Sequence, residues 1–196
     1  KNIMQLGLAA GETASKFEAV FGPATSRMSE KIVELRETIP STTAEMQDAL
    51  ATFSAMARGF GMNADAANIF SVEMVKIAGD LSSFHNIEIE DMFLKMRAAI
   101  SGQFEPLRSL GIVIDQAKIK QEGLNLGLTD GTEDMGAAAR AIAVHSIVVR
   151  DMGVANGDAA ETIDSVANQT KKLKKELIEQ ATAIGVTSLP AINQLI

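Results

Sequence analysis

The chain has 196 residues, of which 46% are apolar and 22% charged, enough apolar surface to offset the entropy of ordering, so a disordered chain is excluded. Its eight Phe stand without any Trp or Tyr, and the abundant Ala and Met favour close helix-on-helix packing over a sheet core. A net charge of −7 argues against a nucleic-acid-binding surface, the lack of cysteine excludes disulfides and thiolate metal sites, and the longest apolar run, Ala141 to Val144, falls far short of the about 20 residues that span a bilayer.

Helical periodicity recurs along the chain. Phe17, Phe21, Ala24, Met28, Ile32 and Leu35 repeat at three or four residues, with Gly22-Pro23 set to kink the run and Pro40 to close it. The opening on Lys1 shows no signal peptide, and a first residue other than Met implies a segment of a longer protein. Thr42 and Glu45 read as a capping box, followed by a stripe of Met46, Leu50, Phe53, Ala57 and Phe60 that Gly59 and Gly61 end. Asn63 starts the next helix, with Ala66, Phe70, Met74, Ile77, Leu81 and Phe84 on one face. Ile69, Val72 and Val75 form a second stripe and predict a helix covered on two sides.

His85-Asn86 reads as a tight turn, with His85 capping carbonyls. Glu88, Glu90 and Asp91 then place negative charge in the first turn of a helix whose inner face is Ile89, Met92, Phe93, Met96 and Ile100. Gly102 stops it. Pro106 opens a short helix to Leu110, and Gly111 ends that one. Ile112, Val113 and Ile114 are the best strand candidate. Asp115 caps a helix to about Gly127, Thr129 to Thr132 is a polar turn, and two longer helices are expected at about 133–152 and 158–184.

The chain therefore reads as all-α, with multi-helix hairpins followed by longer, partly coiled-coil-like helices. The expected divisions are an N-terminal helical segment at 1–40, a compact core at 41–131 and long C-terminal helices at 132–196.

Chemistry has little to stand on. His145 shares a face with Ala138, Ala141, Val148 and Met152, which is the setting of a packed histidine rather than a general base. No HExxH, GxSxG or GKS/T pattern occurs. Gly59 to Ala64 fits G-x-G-x-x-A, yet a helix precedes it where a dinucleotide fingerprint needs a strand. The residues assign no catalytic, cofactor-binding or metal site, and the expectation is a protein that is not an enzyme. Lys171, Lys172, Lys174 and Lys175 form the one dense basic cluster, either a solvated outer face or a contact for phosphate or an acidic partner. Ile163, Val166, Thr170, Leu173, Leu177, Gln180 and Ile184 form a narrow heptad stripe, a candidate self-association seam.

The stretch Gly79-Asp80-Leu81-Ser82-Ser83-Phe84-His85-Asn86-Ile87, then Glu90 and Phe93, then Gly102-Gln103-Phe104-Glu105-Pro106-Leu107-Arg108-Ser109-Leu110-Gly111-Ile112, resembles the core of bacteriophage tail tape-measure proteins. That family's pattern is approximately D-L-A-S-F-N-N-I, a helix, then G-E-x-E-P-L-R-x-L-G-I. Asn156-Gly157-Asp158 resembles its A-Q-G-D turn, Ser165 to Gln169 with Leu173-Lys174 its S-x-A-N-Q-L-R-x-L-K helix, and Ile184-Gly185 with Leu189-Pro190 its closing I-G-x-x-L-L-P. The resemblance covers about residues 45 to 196. His85 replaces the usual Asn, Gln103 the usual Glu, and His145 stands near a common aromatic; residues 1–40 match no part of the pattern.

The resemblance implies a structural role in a virion. Such proteins lie in the tail lumen, set tail length, and leave ahead of the DNA at infection. The implied partners are copies of itself (a trimer favoured over a hexamer), tail tube, tail-tip or baseplate hub proteins, and assembly chaperones in the host cytoplasm. Specific nucleic-acid recognition is not implied, and membrane contact would belong to other parts of the protein. With fifteen glycines and several short helices, this segment reads as a folded module beside the ruler. Gly102, Glu105, Pro106, Leu107, Arg108 and Gly111 read as a structural corner, with Glu105 and Arg108 pairing one turn apart. A non-viral helical adaptor or secretion-related interaction module is the alternative.

Overall fold

The computed structural model describes residues 3–132, 134–162 and 166–193, and no strand occurs among them. The helices fall into two units, Lys1–Ala51 with Thr162–Ile196, and Thr52–Glu161. The expected divisions at 40 and 131 do not separate these units.

In the first unit, α1 (Ile3–Phe21) packs along α10 (Val166–Asn193). A 3-10 turn at Gly22–Ala24, with Gly22 at φ +50°, joins α1 to α2 (Thr25–Thr38), so the Gly-Pro pair redirects the run as its chemistry demands. Phe17, Phe21, Met28, Ile32 and Leu35 are all buried, and the Phe17 and Phe21 rings lie 4.7 Å apart. Helix α3 (Thr43–Gly59) adds Met46 and Leu50 from its first half. Its capping box forms in full: the Thr42 hydroxyl accepts the Glu45 N–H at 3.2 Å, and the Glu45 carboxylate accepts the Thr42 N–H at 2.8 Å.

The second unit holds the rest of α3 with α4 (Ala64–Phe84), α5 (Ile89–Ile100), α6 (Glu105–Arg108), α7 (Gln116–Asn125), α8 (Ala137–Asp151) and α9 (Asp158–Glu161). Its core sets Phe53 edge-on to Phe93 at 6.3 Å, amid Met74, Met92, Met96 and Ile147. Helix α4 is buried over a wide arc that takes in Phe70, Met74, Ile77 and Leu81 of the first apolar stripe and Val75 of the second, but the arc also extends onto polar residues. Ile69 is 66% exposed, whereas Asn68 and Ser71 are buried. The Asn68 side chain accepts the Ser54 hydroxyl at 3.1 Å, and the Ser71 hydroxyl returns to the Asn68 carbonyl. Small polar residues satisfied in this way let helices approach closely, and periodicity of apolar residues cannot register them. Ala66 and Phe84 also lie outside the buried face.

Ile112 to Ile114 lies in neither helix nor strand. It alternates buried, exposed, buried, with Ile112 and Ile114 facing inward and Val113 outward. The two long C-terminal helices are also shorter or broken. Helix α8 begins at Ala137, and the expected helix from 158 is the single turn α9 followed by α10 from Val166.

Candidate functional site

The corner begins where α5 ends. The Gly102 N–H reaches the Ala99 carbonyl at 2.9 Å and the Gln103 N–H the Ala98 carbonyl at 2.8 Å, a closure that places Gly102 at φ +93°. Pro106 then sits in the first turn of α6, where its missing N–H costs nothing. Leu107 is fully buried and anchors the turn. The same closure ends it: the Gly111 N–H meets the Arg108 carbonyl at 3.0 Å, the Ile112 N–H meets the Leu107 carbonyl at 3.2 Å, and Gly111 lies at φ +83°. A Cβ at Gly102 or Gly111 would meet no atom within 4 Å, so backbone conformation alone selects glycine. Glu105 and Arg108 do pair, at 3.2 Å, but both side chains are largely exposed and the pair adds little.

Two other pieces of the motif close joints of the same unit. At the end of α4 the Ile87 N–H reaches the Ser82 carbonyl at 2.9 Å, the Asn86 N–H reaches the Ser83 carbonyl at 3.1 Å, and Asn86 has φ +52°. Asparagine tolerates that left-handed conformation better than other side-chain-bearing residues. His85 caps through its backbone N–H, which reaches the Leu81 carbonyl, while its ring lies edge-on to Phe84 at 5.1 Å.

The second joint is long-range. Asp80, on α4, accepts the Gly157 N–H at 3.0 Å and the Ala159 N–H at 3.2 Å, so it caps α9 from another helix. Gly157 has φ +84°, and Ala155 and Ala159 are buried. Burial raises the Asp80 pKa above the ordinary carboxyl value; the two N–H groups oppose the rise, and nearby Asp158 adds to it.

His145 lies in α8 with its ring 5.9 Å from Phe70, and its buried Nε2 has no hydrogen-bond partner. Burial lowers its pKa, with the Glu73 charge opposing. The glycine-rich stretch from Gly59 is a helix–helix turn, with Gly61 at φ +100° and Asn63 accepting the Ala66 N–H at 2.9 Å.

The four lysines do not share a surface. Lys174 is exposed, Lys171 and Lys172 are half-buried, and Lys175 is buried with its Nζ 2.7 Å from Glu45 Oε1. The capping carboxylate of α3 is therefore also the partner of a buried lysine, which removes Lys175 from any basic face. Glu179 adds to this joint by accepting the Thr43 N–H at 3.1 Å. In the heptad stripe, Leu173 and Leu177 are exposed at 59% and 58%, and Gln180 is exposed. Ile163, and the side chains of Val166, Thr170 and Ile184, lie outside the described residues.

Glu122 was not singled out by any motif. Its carboxylate, on α7, is buried and accepts the Ser146 hydroxyl and Arg150 Nη1 of α8, both at 2.6 Å. The Ser146 hydrogen bond is the main reason its pKa is lowered; burial opposes it and Arg150 reinforces it. Comparison with known proteins finds no matching family model, no similar curated protein and no similar solved structure. Among the described residues, no helix is long and apolar enough to cross a membrane.

Proposed function

We propose that this chain is a folded module of a phage tail tape-measure protein, lying in the tail lumen and working by geometry rather than catalysis. The observation that carries the reading is that the residues of the resemblance are those that fix joints. Gly102 and Gly111 close the corner, Asn86 turns α4, and Asp80 holds the Gly157 turn. Residues chosen for backbone conformation and capping suit a part whose product is shape.

The charge agrees with this role. A chain of net charge −7 does not adhere to the polyanion that follows it through the tube. In this reading it assembles with copies of itself, with tube and tip or hub proteins, and with chaperones in the host cytoplasm. It leaves ahead of the DNA and needs no cofactor.

The test is the copy number of the parent protein in purified tails, measured by quantitative mass spectrometry. The reading expects three or six copies per tail. Absence from tails would contradict it and favour a helical adaptor.

A further inference from the structure

We propose that a depression beside the proline corner receives α10 of a second copy of this chain. The depression has a volume of about 480 Å³ and is lined by Ile87, Asp91, Leu94, Lys95 and Pro106. Leu94 is 58% exposed, set apart from the buried face of α5. A single exposed leucine is ordinary, but here it lies in an apolar recess between an isoleucine and a proline.

Helix α10 carries a matching ridge. Leu173 and Leu177 are one turn apart and exposed at 59% and 58%, while Asn168 and Lys175 on another face are buried. In the sequence the ridge is bracketed by Thr170 and Gln180, so its apolar part is two leucines long. A coiled-coil seam needs several heptads of apolar positions, whereas a two-residue ridge suits a recess.

Charge fixes the partner and its direction. Asp91 and Lys95, four residues apart, edge the recess. Lys172 and Glu176, also four apart, edge the ridge. With α10 laid parallel to α5, the helical wheel puts both charged edges on the same side of the contact. Lys172 then faces Asp91 and Glu176 faces Lys95. Reversing α10 moves its charged edge to the opposite side and loses both pairs. The chain thus carries both halves of a head-to-tail contact, the kind that builds rings or rows of identical copies. The contact is small, and a small contact forms where copies are crowded. It rests on the self-association that the tail-lumen reading expects, and it names the surfaces used.

The experiment is sedimentation equilibrium of the 196-residue chain with two surface variants, Leu94→Asp in the recess and Leu177→Asp on the ridge. Unchanged melting temperatures confirm that both variants fold. The expected result is that the wild type self-associates and each variant alone is monomeric. An equal mixture of the two should give dimers, since one keeps its ridge and the other its recess.

Exchanging the recess charges (Asp91→Lys with Lys95→Asp) should weaken wild-type association by roughly tenfold. Adding Lys172→Glu and Glu176→Lys should restore it. Two results would overturn the proposal: Leu94→Asp associating like wild type while Leu177→Asp does not, which is ridge-to-ridge pairing, or a wild type that stays monomeric at every concentration tested. Neither result bears on the presence of the parent protein in tails, which the copy-number measurement decides separately.

Discussion

Asp80 and Gly157 are 77 residues apart in the chain and joined by a 3.0 Å hydrogen bond, with Ala159 on the second carboxylate oxygen at 3.2 Å. Two motif fragments that look independent in the sequence are thus the two sides of one joint.

Asp80→Ala should destabilise the chain by roughly 1–2 kcal/mol, the usual cost of losing a cap, and Asp80→Asn by less because one acceptor remains. The pH dependence has a definite sign. A carboxyl group whose folded pKa is raised contributes most below its unfolded value and loses that contribution as pH rises through the folded one. Wild type should therefore be more stable relative to Asp80→Asn at about pH 3 than at about pH 7. Thermal melts of both proteins across that range measure it, and the opposite slope would refute the burial account.

Gly111→Val should cost roughly 1–2 kcal/mol or more, because φ +83° is closed to a β-branched residue although the space beyond is empty. Gly111→Asn should cost clearly less, and Pro106→Gly should destabilise by freeing the unfolded chain. Unchanged melting temperatures for both Gly111→Val and Pro106→Gly would remove the corner from the account.

His145→Phe should leave stability unchanged or raise it, since it replaces a buried, unpaired Nε2 beside Phe70 with carbon. A histidine with a lowered pKa loses stability as pH falls below its unfolded value. The advantage of the variant should therefore grow between about pH 7.5 and about pH 5.5, as seen in paired melts.

Lys175→Met should destabilise by roughly 1–3 kcal/mol, because Glu45 keeps its Thr42 hydrogen bond but loses its buried cation. The double variant with Glu45→Gln should recover part of that loss. Additive losses in the double-mutant cycle would show that the two residues are not coupled.

What the sequence discloses here is local. Thr42 with Glu45, Asn63, Asp115 and the glycines at 102 and 111 act within a turn of their own position, and each does what its chemistry predicts. What it hides is distant or carried by polar residues. Lys175 reads as one of a surface cluster until its partner, 130 residues away, is known. Glu122 has no signature, because its meaning comes from Ser146 and Arg150 on another helix. The strand candidate at 112–114 fails for a related reason, since its alternating burial arises in a connecting segment that has no partner strand.

Protease protection tests the proposed place inside a tail. Intact tails, and tails triggered to eject, would be digested and probed for peptides from residues 45–161. The account predicts protection in intact tails and release of the segment after ejection. Cleavage of this segment in intact tails at the same rate as in the free chain would contradict it.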